Sequence, residues 1–180
     1  MLRGVFFLLA LYAFQIKAID IAFFVRTQAN GQIEVYEEGT LYSHVAIRVG
    51  DQWLEARPWY GVHLTNDTSS MGVITEILSD PSIPEPNDAF LEKVLGKKYF
   101  LFADWDDPEI YNCTKLVAKL LGIEPNPMNF DPMLWGNRFQ EYLGKPGLSV
   151  GELYTELEER SFESEIIESK ISGGCRKHLQ

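Results

Sequence analysis

The chain has 180 residues, 46% hydrophobic and 13% aromatic, with 26 acidic against 16 basic residues and a formal charge of −10. That length supports one domain with its own core. The acid excess argues against a nucleic-acid binder, which needs a basic stripe to neutralise phosphates, and against electrostatic adhesion to anionic lipid.

The first segment, MLRGVFFLLALYAFQIKAID, has an early cation (Arg3), an apolar run from Val5 to Phe14, a polar break and then Ala18. This is the three-part order of a secretory signal over residues 1–18, with cleavage after Ile-Lys-Ala. A buried first strand or helix is the alternative. The run is too short to span a bilayer, and no later segment approaches the roughly 18 apolar residues that a span needs. The expectation is therefore a secreted or periplasmic monomer without a stable membrane anchor. Export also invites a disulfide between the two cysteines, Cys113 and Cys175. Against it, Cys113 lies in a patterned helix and Cys175 lies in the polar tail.

Beyond the signal, residues 19–160 are expected to form the domain and 161–180 a polar, disordered tail. IDIAFFVRT is a buried strand and QANGQ a turn. SHVAIRVGDQWLEARPWYGVHLT supplies three short strands, turning at Gly50-Asp51 and at Pro58–Gly61. Residues 79–87 form a proline-rich loop. DAFLEKVLG is a helix closed by Gly96, and PEIYNCTKLVAKLLG is a helix closed by Gly122. Further helices follow around Trp135–Leu143 and over 149–160, the latter capped by Ser149. Grouped strands with helices elsewhere predict an α+β domain with a small antiparallel sheet.

Two segments carry candidate chemistry. In the strand after Ser43, His44, Ala46 and Arg48 share one face, and Val45, Ile47 and Val49 the other. A two-residue turn at Gly50-Asp51 pairs Val49 with Gln52, and so Ala46 with Glu55 and His44 with Arg57. Glu55 then lies diagonally from His44, about 7–8 Å away at the backbone, within reach of a glutamate. A carboxylate there binds one imidazole nitrogen and leaves the other as a base. His63 falls on the opposite parity if the Pro58–Gly61 turn is tight.

From Cys113, apolar residues recur at Leu116, Val117, Leu120 and Leu121, one helix face. That stripe points Cys113 toward whatever the helix packs on, with the sheet as the obvious partner. Asn112 as N-cap places Cys113 in the first turn, where the dipole and free N–H groups favour a thiolate. Asp107 before Pro108 is the rival cap. By pattern alone, the ordinary reading of Cys113 is a small packing residue, of His44 a structural one and of Glu55 a solvated face. The three His and two Cys show no metal-ligand spacing.

Together the segments resemble the permuted papain-like superfamily of cell-wall amidases of the NlpC type, closest to its YiiX/YaeF-like branch and to lecithin–retinol-acyltransferase-like proteins. YSHVAIRVGDQWLEARPWYGV is similar to the His-bearing hairpin, where an SHVGI strand precedes a vleA strand. YNCTKLVAKLLG is similar to the nucleophile helix, and DIAFFVRT to the opening strand. His precedes Cys here, the order of a circular permutation. The resemblance covers about Asp20 to Leu143. The departures are Thr114 for a common Ser, Ala46 for a frequent Gly and Ala18 for the Gly before the opening strand.

The resemblance implies a circularly permuted papain-like fold, a sheet or half-barrel packed on the nucleophile helix. Cys113 would be the nucleophile, His44 the base and Glu55 the residue that orients the imidazole. The implied enzyme is a cysteine peptidase or amidase acting on amide bonds, with peptidoglycan peptides a natural exported substrate and no cofactor. Arg57, Trp59, Tyr60 and Tyr111 are candidate substrate contacts, Arg57 through a bidentate bond to a carboxylate. The alternatives are a lipid acyltransferase or thioesterase of the same fold, and a non-catalytic binding module.

Overall fold

The computed structural model describes residues 17–160 and 162–166. Most of the expected signal segment, Cys175 and most of the expected tail lie outside the described residues. The domain is α+β, built on a six-stranded sheet in which every neighbouring pair is antiparallel. Strand β1 (Ala18–Val25) lies inside it, flanked by β2 (His44–Val49) and β5 (Val73–Pro84). Beyond β2 come β3 (Gln52–Arg57) and then β4 (Gly61–Thr65). Beyond β5, Glu163–Ile166 forms the edge strand β10, so the segment expected as a polar tail begins with a paired strand. The unbroken run Ile21 to Val25 is buried throughout. Partners on both edges and cover on both faces explain its continuous apolarity.

The sheet separates two apolar clusters. On one face, Ile21, Phe23, Val45, Ile47 and Leu54 pack with residues of two helices, α2 (Cys113–Leu121) and α4 (Val150–Glu159). On the other, a smaller cluster gathers Ala22, Phe24, Ala46, Trp53 and Met71. The described part is completed by α1 (Asp88–Val94), a short parallel pair β6 (Lys98–Tyr99) and β7 (Ile110–Tyr111), an antiparallel pair β8 (Asn126–Pro127) and β9 (Pro146–Gly147), and a short helix α3 (Pro132–Trp135). No helix among the described residues is long and apolar enough to cross a membrane.

Several elements differ from the sequence expectation. Strand β5 runs on to Pro84, through what was expected as loop. Its pairing with β1 jumps from Ile19–Asp80 to Ala18–Pro84, so Pro81, which has no N–H to give a ladder, sits in an irregularity. The expected helix over 108–122 starts only at Cys113. Asp107 instead accepts from the Glu109 N–H at 2.8 Å, a local turn. The expected helix at 135–143 breaks into α3 and one 3-10 turn, Gln140–Tyr142, because Gly136 and Phe139 both adopt left-handed backbone. The last helix keeps its Ser149 cap, with reciprocal bonds to Glu152.

Candidate active site

The position of Cys113 is built by a helix cap. Asn112 Oδ1 accepts from the Lys115 N–H at 2.8 Å, while its Nδ2 donates to Leu101 O at 2.8 Å. Thr114 Oγ1 donates to Leu148 O at 2.7 Å. Cys113 is thus the first residue of α2, partly buried and a free thiol. Of the two caps the sequence allowed, Asn112 is the one used, which leaves the Cys113 amide outside the helical ladder. Behind it, Leu116 and Val117 are buried against the sheet.

The hairpin carries His44, the expected base. Its register runs Val49–Gln52, Arg48–Trp53, Ile47–Leu54, as the turn predicted, and then stops. The expected continuation to Ala46–Glu55 and His44–Arg57 is absent. His44 and Ala46 remain paired with β1, and Glu55 and Arg57 with β4. By parity, His44 and Glu55 belong to the face away from α2. The thiol meets the imidazole where β2 and β3 part, and Cys113 Sγ accepts the Val45 N–H there.

Glu55 Oε2 holds His44 Nε2 at 3.0 Å, which leaves Nδ1 as the nitrogen facing the thiol. Phe24 packs edge-on against the His44 ring, with centroids 5.7 Å apart. Burial pushes the Cys113 thiol up, but the His44 charge and hydrogen bond, with the Val45 and Thr114 amides, bring it below its ordinary value. Burial would lower His44, yet the Cys113 charge and hydrogen bond, and then Glu55, raise it to about 9. Both shifts favour a thiolate–imidazolium pair.

Glu55 is fully buried, and its second oxygen has its own partners. Arg57 Nε and His63 Nε2 each stand 3.1 Å from Oε1. These are ion-pair distances, and neither N–H is aligned as a hydrogen bond to that oxygen. The Tyr60 ring stacks on His63, with centroids 5.3 Å apart, and lies 4.4 Å from the Arg57 guanidinium. The sequence placed His63 on the wrong parity. The β3–β4 turn has three residues, closed by Arg57–Gly61, so His63 pairs directly with Glu55. Gly61 has a positive φ of 68°, and a Cβ there would stand 2.1 Å from Lys97 O, so the turn requires glycine.

The remaining candidates lie apart from the thiol's immediate contacts. Arg57 is engaged by Glu55 and Tyr60. Trp59 is 97% exposed at the tip of the turn, in left-handed backbone with φ of 66°. Tyr111 is buried and lines a cleft of about 250 Å³ with Phe90, Trp105 and Lys119. Two nearby residues were missed. Lys115, 1% exposed, donates to the carbonyls of Asp104 and Asp107 at 2.5 Å and Ile110 at 2.7 Å, binding the preceding loop to α2. The Tyr99 phenol is raised by burial and by the Cys113 charge. The sequence held no signal for either beyond a lysine inside an apolar stretch. Among the described residues, no group of three or more His, Cys, Asp or Glu is arranged to hold a metal. No family model, curated protein or solved structure matches the chain.

Proposed function

We propose that the protein is a cysteine hydrolase of permuted papain-like architecture, cleaving amide bonds through a thioester. The observation that carries this is the Glu55 Oε2–His44 Nε2 contact at 3.0 Å beside a Cys113 thiol that stands at the head of a helix and is lowered by the same imidazole. The thiolate attacks the carbonyl carbon, forming a C–S bond, with the Cys113 amide as a donor to the oxyanion. The C–N bond breaks and the imidazolium gives its proton to the leaving amine. Water, deprotonated by His44, then attacks the thioester and releases the acid and the thiol. Export, read from residues 1–18 alone, would make peptidoglycan peptides the natural amide substrate.

Iodoacetamide alkylation of the purified full chain tests the reading, with labelled peptides resolved by mass spectrometry so that Cys175 is counted separately. Because the thiol is lowered, Cys113 should react below the ordinary thiol value of about 8.5. A second change should follow near pH 9 as the imidazolium is lost. His44→Ala should return the profile to that of an ordinary thiol. An ordinary wild-type profile, unchanged by His44→Ala, overturns the proposal and leaves the non-catalytic binding module.

A second reading, acyl ester or lipid acyl chemistry, is favoured by one observation. A cleft of about 310 Å³ is lined by Phe100, Phe102, Ile110, Met128, Tyr142 and Pro146, and Ile110 lies three residues before the nucleophile. Ester turnover without release of amino groups from cell-wall peptides would select it.

A further inference from the structure

A carboxylate turns easily about its terminal bond, since that torsion is broad. Glu55 can therefore present Oε2 steadily to His44 only if Oε1 is also held. Two side chains converge on Oε1 from neighbouring strands, Arg57 on β3 and His63 on β4, each at 3.1 Å. Neither N–H is well aligned, so each alone is a weak restraint. His63 is the better anchored of the two. Its Nδ1 faces Gly61 O at 3.2 Å, its ring is stacked on Tyr60, and its backbone is the direct cross-strand partner of Glu55.

We propose that His63 is a positioning residue for the Cys113–His44 pair, fixing Glu55 Oε1 so that Oε2 stays on His44. The inference rests on the cysteine-hydrolase reading above. It also reassigns Arg57, which holds the same oxygen and so acts through Glu55 before any substrate carboxylate. A cation beside Glu55 also has a Coulombic effect of opposite sign, drawing the carboxylate's charge away from His44. Positioning, and any charge on the ring, therefore predict different results when the ring is replaced by a neutral amide.

Neutral replacements separate them. In His63→Gln, the amide nitrogen takes the place of Nε2 and keeps a polar group facing Oε1. In His63→Asn, it takes the place of Nδ1, keeping Gly61 O and losing Glu55. The readout is the rate of Cys113 alkylation by iodoacetamide at pH 7 in the full chain, with near-UV circular dichroism to confirm the fold. His63→Asn should slow alkylation on the order of tenfold, the lower range for loss of a supporting partner, and His63→Gln should recover most of the rate. If both variants are fast, or both change alike, the positioning role is wrong. If wild-type Cys113 is itself slow and indifferent to His44→Ala, the parent reading fails instead.

Discussion

Over one face of the sheet, Phe23, Val45, Ile47 and Leu54 are closed off by Leu116 and Val117 of α2 and by Leu153 and Leu157 of α4, all buried. On the other face the apolar cluster is small, and beside it lies a buried carboxylate shared by two imidazoles and a guanidinium. The first arrangement is held by burial, which is large in energy and indifferent to direction. The second depends on direction, because a buried carboxylate with a misplaced partner is destabilising as well as ineffective. Stability and reactivity should therefore respond to different residues, although Phe23 and Phe24 are neighbours in the same strand.

The largest expected effect comes from breaking the apolar face. Phe23→Ala removes a ring packed against Tyr42 and Tyr154 at centroid distances of 5.1 Å. It should cost about 3–5 kcal/mol in urea unfolding, while the molecules that remain folded alkylate at Cys113 within about twofold of wild type. Glu55→Gln should do the reverse for reactivity, slowing alkylation by at least about tenfold. If Phe23→Ala slows the folded protein as much as Glu55→Gln, the division between the faces does not hold.

Lys115 lies between these cases, a charged group on the apolar side. Burial lowers its ammonium pKa, with Lys119 adding to the effect, and its three N–H groups are all used by backbone carbonyls. Lys115→Met keeps the volume and strands those acceptors, for a loss of about 3 kcal/mol. Hydrogen exchange should show the loss concentrated in residues 104–110. Uniform loss across the sheet would mean that the lysine matters as bulk rather than as a tie.

What could be read from the sequence follows the same physical line. The Val49–Gln52 register and the capped last helix rest on local chemistry, turn length and a side-chain acceptor, whereas the sequence left the cap of α2 open between Asn112 and Asp107 and the fold decides for Asn112. The His44–Glu55 contact was also within reach, because side-chain parity survives even where the ladder ends. His63 was lost to a single extra turn residue, since one residue reverses every face that follows. Strand β5 was hidden by its two prolines and a buried Glu76, whose partners Tyr42 and Tyr154 come from distant parts of the chain. The role of Lys115 depends on a loop folding back over the helix, which composition does not record.

The smallest effect sharpens the comparison at the edge of the apolar face, where α4 begins. Ser149 Oγ accepts from the Glu152 N–H at 3.0 Å and donates to Glu37 Oε1 at 2.8 Å. Glu37 Oε2 accepts the Gly151 N–H at 3.1 Å. The helix start thus has a near acceptor and a distant one, and Glu37 also ties the loop before β2 to α4. Ser149→Ala alone should cost about 1 kcal/mol, the ordinary loss for a cap, because Glu37 still covers Gly151. Glu37→Gln should cost less, since Gln can keep one acceptor. The two residues touch, so the double variant should depart from additivity by at least about 0.5 kcal/mol. Urea unfolding of the four proteins measures this, and strict additivity would show that Glu37 and Ser149 serve the helix independently.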